Sequence, residues 1–216
     1  MNVRQDQSSQ KSSVVLVHGL WMPSVSMALL ARRLEARQFA THVFDYRGRE
    51  PFGENVVALA RYLRLLGKPA HLVAHSLGGI LVLKALQEHP DLETLGAVFL
   101  GSPVRGSLSA RKLGGWAAGR WLLGASTPCW QEHDSTTWPV AAPLGVIAGS
   151  APWGLGRLLG MLAKPNDGVV YLEETDVAGT TERVIVSMNH SGMLIAPGVA
   201  RQVIAFLANG RFEPEG

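Results

Sequence analysis

The stretch AHSLGG, from Ala74 to Gly79, joins two apolar runs of different periodicity. HLVA before it has the β-branched and apolar character of a buried strand, and ILVLKAL after it is typical of a helix. Ser76 therefore falls at a predicted strand-to-helix corner, with the small residues Ala74 and Gly78 two positions before and two after it. Two interpretations are open: the small residues only turn the chain, or the sharp turn exposes the Ser76 hydroxyl as a nucleophile.

The sequence on both sides of this corner alternates between strand and helix. Parallel strands need crossover connections that are usually helical, so the alternation predicts an α/β fold with a mostly parallel central sheet flanked by helices. The predicted strands are 13–19, 40–46, 69–75, 94–102, 142–150 and 181–190, and the predicted helices are 23–37, 53–67, 77–89 and 198–210. In such sheets functional groups gather at the carboxyl ends of the strands, where Ser76 is placed.

The segment 104–140 breaks the alternation, and we predict that it is a small cap insertion. It contains four of the six tryptophans of the chain: Trp116, Trp121, Trp130 and Trp138. Two compatible interpretations are a helical hairpin that packs its aromatic rings on the core and a cap whose indoles line an apolar substrate pocket. A loop with a possible short helix follows at 151–168. We expect one domain over 1–216, with a polar tail at 1–12.

Composition limits the class of protein. A chain of 216 residues buries enough surface to fold without a disulfide or a metal. Its one cysteine, Cys129, permits no internal disulfide, which fits a cytoplasmic location. We see no apolar leader and no run of the ~18 apolar residues that span a bilayer, so we expect no stable membrane insertion. The net charge of +3 is small and scattered, which argues against nucleic-acid binding, and the oligomeric state stays open.

A serine nucleophile needs a base to take its proton and an acid to orient that base. In folds that use this type of corner, the chain order is serine, acid, histidine. Downstream of Ser76, KPNDGVV offers Asp167 in a polar turn, and SMNHSGM offers His190 past the last predicted strand. We therefore take Ser76, Asp167 and His190 as candidate catalytic residues, with Asp176 as the second choice for the acid. Asp167 could instead be an ordinary turn aspartate, because N-D-G is a strong turn signal.

Chemistry at such a serine also needs backbone N–H groups placed where negative charge develops on the substrate. One donor is expected to be Leu77, directly after the serine, and the other comes from the loop after the first parallel strand. That loop reads HGLW, and we predict that the Leu20 amide is the second oxyanion-hole donor, with Trp21 next. His18 precedes Ser76 in the chain, so it more naturally fixes this loop than acts as the base.

The remaining polar residues carry weaker signals. We interpret His75 as the variable residue of the corner and the other histidines as structural. No histidine pair has zinc-site spacing, and no nucleotide-binding glycine motif follows a strand, so we expect no metal and no cofactor. Asp45 lies before the corner and Asp134 lies in the predicted cap, so both are weaker candidates for the acid.

Taken together, AHSLGG, VHGL, NDGVV and NHSGM resemble the α/β-hydrolase superfamily, and within it the bacterial lipases and esterases. The corner is similar to that of small lidless lipases, which also carry alanine at its first position. LGSPVRGS is similar to a stretch that follows the next strand in many lipases. The interval of 23 residues between Asp167 and His190 is close to that of larger secreted lipases.

The resemblance covers roughly residues 14–207 and leaves the tryptophan-rich insertion unmatched. It implies an α/β-hydrolase fold, with Ser76 as nucleophile, Asp167 as orienting acid and His190 as general base. It also implies that a small-molecule carboxylic ester is cleaved through an acyl-enzyme. The lack of a recognisable leader and of a cysteine pair favours a cytoplasmic esterase over a secreted lipase. Acyl thioesterases and acyltransferases use the same groups, and a non-catalytic binding protein is the remaining alternative.

Overall fold

The computed structural model describes residues 11–130, 136–153 and 165–214 of the chain. Most of the predicted polar tail lies outside these residues. So do His133 and Asp134 of the predicted cap and most of the loop predicted at 151–168, including its possible short helix.

Within the described residues, six parallel strands form a central sheet in the order β2-β1-β3-β4-β5-β6. The strands are β1 (Ser13–Val17), β2 (Ala40–Phe44), β3 (Ala70–His75), β4 (Thr94–Leu100), β5 (Leu144–Gly149) and β6 (Glu182–Val186). Each neighbouring pair is parallel, and each strand lies inside its predicted range. The predicted α/β class is therefore confirmed.

Helices lie between or after these strands, and the helix predicted at 23–37 consists of a 3₁₀ turn at Ser24–Met27 followed by an α-helix that ends at Glu35. The α-helices are α1 (Ala28–Glu35), α2 (Phe52–Leu66), α3 (Leu77–Glu88), α4 (Leu108–Gly114), α5 (Ala117–Leu123) and α6 (Pro197–Asn209). The helices α2 and α6 end at Gly67 and Gly210, whose φ angles of 69° and 71° are accessible to glycine at little cost. In the described part of the chain, no helix is both long and apolar enough to cross a membrane.

The inner strands are largely buried on both faces because helices cover both sides of the sheet, whereas the edge strands β2 and β6 are partly exposed. Val15 and Val17 face the layer that contains α2 and α3, whereas Val14 and Leu16 face the layer that contains α1 and α6. Successive side chains of a strand point to opposite faces, so a strand that is apolar at every position requires two covering layers.

The strand order creates a crevice between β1 and β3. The chain leaves β1 toward β2 on one side and later places β3 on the other side, so the connections diverge at this point. In open α/β sheets, the carboxyl ends of the strands at such a point are the usual ligand site. The loop after β1 and the corner at Ser76 meet here, since the position of a Cβ on Gly19 would lie 2.9 Å from Ser76 Cβ.

The segment between β4 and β5 contains α4, α5 and a 3₁₀ helix at Gly124–Trp130. Its tryptophans divide into two pairs. Trp130 and Trp138 are 5% and 7% exposed, and Trp138 meets Phe99 edge-on with 5.8 Å between ring centroids. Trp116 and Trp121 are 72% and 68% exposed. Packing on the core thus accounts for one pair, while the other pair faces outward.

A buried carboxylate ties this segment to the loop around Asp167. The Glu174 side chain accepts hydrogen bonds from the backbone N–H groups of Leu108, the first residue of α4, and Tyr171. The backbone oxygen of Glu174 accepts the N–H of Arg105 at 3.1 Å. Burial raises the pKa of Glu174 from 4.5 to about 7, although the two N–H donors act in the opposite direction. Ionisation of Glu174 in the folded state therefore costs free energy.

We expect the free energy of unfolding to fall between about pH 4.5 and about pH 7, because the folded state keeps on Glu174 a proton that the unfolded state releases. The pKa shift corresponds to roughly 3 kcal/mol. Glu174→Gln removes this ionisation, so its unfolding free energy should depend less steeply on pH when urea unfolding is measured across the interval. Glu173→Gln is the matched control, because Glu173 is exposed and its loss should leave the wild-type slope unchanged. Equal slopes for wild type and Glu174→Gln would contradict the prediction.

Candidate active site

Ser76 occupies the corner between β3 and α3 in a backbone conformation that L-residues rarely adopt. Its φ is 54° and its ψ is −123°, a region that costs on the order of 1–3 kcal/mol and persists only when the surroundings hold it. Two backbone hydrogen bonds do so: Ser76 N–H donates to Leu100 O at 3.0 Å, and Gly79 N–H donates to Ser76 O at 3.0 Å. Ser76 stays partly exposed between the fully buried His75 and Leu77.

Close packing explains the small residues on either side of Ser76. Ala74 is fully buried opposite Val17 of β1 and Phe99 of β4. A Cβ at Gly78 would lie 2.5 Å from the carbonyl oxygen of Val17, far inside van der Waals contact. Alanine is therefore small enough at the first position, whereas the second position requires glycine.

Asp167 and His190 form a buried hydrogen-bonded pair. His190 Nδ1 lies 2.7 Å from Asp167 Oδ2, and the two side chains are 11% and 1% exposed. A second bond fixes the backbones, because His190 N–H donates to Asp167 O at 2.8 Å. An ionised carboxylate can only accept, so the imidazole proton lies on Nδ1. The arrangement leaves the lone pair of His190 Nε2 as a proton acceptor.

Asp167 is also a turn aspartate. Its Oδ1 accepts the N–H groups of Val169 at 2.9 Å and Val170 at 2.7 Å. The two interpretations of N-D-G are therefore compatible, since one carboxylate oxygen organises the turn and the other contacts His190.

The rival acids have other partners. Asp176, the second choice, forms an ion pair with Arg183 near the surface. Asp45 lies 3.6 Å from His18 Nε2, and its side chain is 75% exposed. Asp134 is outside the described residues. The carboxylate that contacts His190 is that of Asp167.

The loop after β1 approaches the corner closely enough to contribute a backbone donor. Gly19 makes the approach possible, since a Cβ there would lie 2.9 Å from Ser76 Cβ and 3.1 Å from His75 Nδ1. Within the described residues, no backbone hydrogen bond uses the N–H of Leu20 or of Leu77, the first residue of α3. Both predicted donors therefore lack a backbone acceptor in this part of the chain, and the first N–H groups of a helix have no intrahelical partner.

His18 and Tyr46 stiffen this loop. Their rings stack with 4.5 Å between centroids, and the Tyr46 hydroxyl donates to His18 O at 2.9 Å. Tyr46 N–H donates to His18 Nε2 at 3.4 Å, so the ring proton is on Nδ1, which lies 3.0 Å from Gly19 O. Burial raises the pKa of Tyr46, which keeps its phenol protonated as a donor. These contacts agree with the expectation that His18 fixes the loop.

The site includes two residues whose contribution sequence reasoning missed. Gly101, directly after β4, has a φ of 55°, and a Cβ there would lie 2.9 Å from Asp167 Oδ2 and 3.1 Å from His190 Nδ1. A glycine at the end of a predicted strand was the available signal. His75 was interpreted only as the variable residue of the corner, yet its Nε2 lies 3.0 Å from the backbone oxygen of His190. No local pattern reveals that contact, because 115 residues separate the two positions.

An open cleft of about 570 Å³ borders the loop after β1, and its walls include Trp21, Met22, Tyr46 and Arg49. The Arg49 guanidinium stacks over the Trp121 ring at 4.7 Å and donates to the Trp121 backbone oxygen at 2.6 Å. Arg49 therefore lines this cleft and also contacts the segment between β4 and β5.

The carboxyl edge of the sheet carries the Ser76 hydroxyl, the hydrogen-bonded pair of Asp167 and His190, and the backbone N–H groups of Leu20 and Leu77. Among the described residues, no cluster of three or more histidine, cysteine, aspartate or glutamate side chains is arranged to hold a metal ion. Burial raises the pKa of the Cys129 thiol to about 12, so it is not a reactive thiolate.

Comparison with solved structures supports the same fold. The lipase BlEst2 of Bacillus licheniformis in its propeptide form has a TM-score of 0.78 and 20% identity over 96% of this chain and 52% of that one. Its mature form has a TM-score of 0.71 and 19% identity, over 94% of each chain. The monoacylglycerol lipase of Paleococcus ferrophilus has a TM-score of 0.62 and 20% identity, over 90% of this chain and 93% of that one. This chain thus spans about half of the propeptide form.

At these identities, the similarity shows a shared fold and leaves the substrate open. No curated protein sequence matches the chain significantly. The sequence profile described as the Alpha/beta hydrolase family matches residues 14–205, which contain the six described strands except Ser13 and every candidate site residue. The chain therefore belongs to the α/β-hydrolase family and has a hydrolase fold of the lipase and esterase type.

Proposed function

We propose that this protein is a serine carboxylesterase that cleaves small-molecule carboxylic esters through an acyl-enzyme. The observation that carries the proposal is the 2.7 Å contact between Asp167 and His190, at the same edge of the sheet as the strained corner of Ser76. A buried carboxylate that fixes the proton of an imidazole on Nδ1 prepares Nε2 to act as a base.

The first half-reaction acylates Ser76. Its Oγ attacks the ester carbonyl carbon while His190 Nε2 takes the hydroxyl proton, and the carbonyl oxygen becomes an oxyanion. The backbone N–H groups of Leu20 and Leu77 stabilise this charge. Asp167 stabilises the imidazolium that forms. The tetrahedral intermediate collapses when the bond to the alcohol oxygen breaks and His190 returns the proton to the leaving alcohol.

The second half-reaction releases the acid. A water molecule attacks the acyl carbon as His190 Nε2 takes one of its protons, and the same amides hold the oxyanion. The bond to Ser76 Oγ then breaks, and His190 returns the proton to that oxygen. The net reaction is ester plus water to acid plus alcohol, with the enzyme regenerated.

We expect Ser76→Ala to lower kcat for p-nitrophenyl esters by at least about 10³-fold, because the variant has no group to acylate. A fluorophosphonate probe should label the wild type and fail to label Ser76→Ala. Ser102→Ala is the matched control: Ser102 is a buried serine at the end of the neighbouring strand, and its loss should leave labelling intact. Wild-type turnover by Ser76→Ala would contradict the proposal.

We expect Asp167→Asn to lower kcat by about 10⁴-fold, as a wrong imidazole tautomer does in serine proteases. The asparagine oxygen can still accept the turn N–H groups, but its NH₂ group opposes a proton on His190 Nδ1. Asp176→Asn breaks a surface ion pair, which contributes at most about 1 kcal/mol to stability, and should leave kcat near the wild-type value. A larger loss in Asp176→Asn than in Asp167→Asn would show that the acid is misassigned.

The acyl specificity is measured by comparing the hydrolysis rates of esters of increasing acyl length with those of matched thioesters. Each reaction is run with and without added alcohol. Faster turnover of thioesters would favour an acyl thioesterase, and transfer to the added alcohol would favour an acyltransferase. A wild-type protein that neither hydrolyses esters nor binds the fluorophosphonate would favour a binding role.

A further inference from the structure

His75 joins the corner of Ser76 to the loop that carries His190. It is the last residue of β3 and is fully buried. Its Nε2 lies 3.0 Å from the backbone oxygen of His190, and the two rings are tilted at 47° with 4.6 Å between their centroids. The residue before the candidate nucleophile is thus in contact with the candidate base.

The protonation state of His75 follows from its surroundings. Burial, and next the proximity of His190, lower the pKa of His75 to about 3, so the ring is neutral at working pH. A neutral imidazole has one N–H group, and a carbonyl oxygen can only accept. The proton is therefore on Nε2 and is donated to His190 O. Within the described residues, Nδ1 has no hydrogen-bond partner, so it offers the ring no competing anchor.

The contact with His75 gives the backbone oxygen of His190 a hydrogen-bond donor. The backbone N–H of His190 donates to Asp167 O at 2.8 Å, and its Nδ1 lies 2.7 Å from Asp167 Oδ2. Both of these bonds lead to the acid loop and neither leads to Ser76. Among the contacts of the described residues, the bond from His75 ties the backbone of His190 to β3, the strand that leads into Ser76.

We propose that His75 is a positioning residue for the esterase reaction, which donates Nε2–H to the backbone oxygen of His190 and so fixes the base relative to Ser76. The role rests on the proposed function. It differs from general acid or base work, because the Nε2 of His75 is occupied by a carbonyl oxygen and its pKa keeps the ring neutral. It also differs from simple packing, for which any aromatic ring of similar size would serve.

The test compares variants that keep or remove the donor. His75→Phe keeps a planar ring but has no N–H, and His75→Asn has an amide that is too short to reach the position of Nε2. His75→Gln carries an amide nitrogen at about the reach of Nε2 and restores the donor. His71→Phe is the matched control, since His71 lies at the other end of β3 and meets Phe39 edge-on at 6.1 Å.

We expect His75→Phe and His75→Asn to lower kcat by about 10- to 100-fold with KM little changed, because a small displacement of a catalytic group is costly while substrate contacts remain. His75→Gln should regain most of the loss, and His71→Phe should match the wild type. Circular dichroism and thermal unfolding identify any variant that does not fold. The role would be overturned if folded His75→Phe or His75→Asn kept the wild-type kcat. It would also be overturned if His75→Gln lost as much kcat as these two variants, or if the variants changed KM alone.

A second measurement needs no substrate. The ¹⁵N shifts of ring nitrogens distinguish histidine tautomers, and the His75 signals are those that disappear in His75→Gln. We expect a neutral ring with its proton on Nε2 at both pH 5 and pH 8. A His75 signal that titrates near pH 6.5, the ordinary histidine value, or a His75 proton on Nδ1 would overturn the role whatever the kinetics of the variants. A wild type that turns over no ester and binds no fluorophosphonate would overturn the proposed function and this role with it, whereas an active wild type with the wrong variant pattern overturns this role alone.

Discussion

The buried carboxylate of Asp167 is the interaction on which the rest of the site depends. It is 1% exposed, and a charge removed from water to that extent is costly unless its oxygens are hydrogen-bonded. Val169 N–H, Val170 N–H and His190 Nδ1 surround it. The same three contacts that compensate the charge also shape the turn and orient the imidazole. One residue therefore organises both the local backbone and the candidate chemistry.

Two glycines supply the space that this arrangement needs. Gly19 lets the loop after β1 approach Ser76, and Gly101 lets the Asp167–His190 pair lie against the end of β4. Each lies just past a strand, where the sheet presents its carboxyl edge. Side chains at these positions would occupy the volume in which the loops meet. The arrangement of the candidate site therefore depends on the absence of a side chain at both glycines.

The sequence pattern predicted the fold well because burial on both faces leaves a continuous apolar run in inner strands, as in Val14–Val17 of β1. The order of serine, acid and histidine along the chain selected Asp167 and His190, which the structure places in contact with each other, and the role of Ser76 as nucleophile stays a prediction. The sequence favours Asp167 over Asp176 as the acid, and the contacts that distinguish the two carboxylates become visible only in the structure: Asp167 contacts His190, whereas Asp176 pairs with Arg183. The cytoplasmic location stays a prediction.

His75 shows a different limit of sequence reasoning. Its contact joins two loops through a backbone oxygen, and a backbone acceptor leaves no trace in residue type. The outward-facing Trp116 and Trp121 show the same limit, because the composition of a segment does not tell which indoles turn toward the core.

The hydrogen bond between Glu174 and the start of α4 bears on where the segment between β4 and β5 could be exchanged for that of another protein with this fold. The segment between β4 and β5 supplies none of the candidate catalytic groups, which makes it the natural part to exchange when a different substrate range is wanted. Arg105 and Leu108 are nevertheless fixed to Glu174, on the loop that continues from Asp167. A chimaera spliced before Leu108 keeps this donor only if the foreign segment carries a backbone N–H along the same path, whereas a junction after Leu108 retains the native backbone at Glu174. The boundary for modular exchange thus lies inside the first helix of the segment rather than at the end of β4.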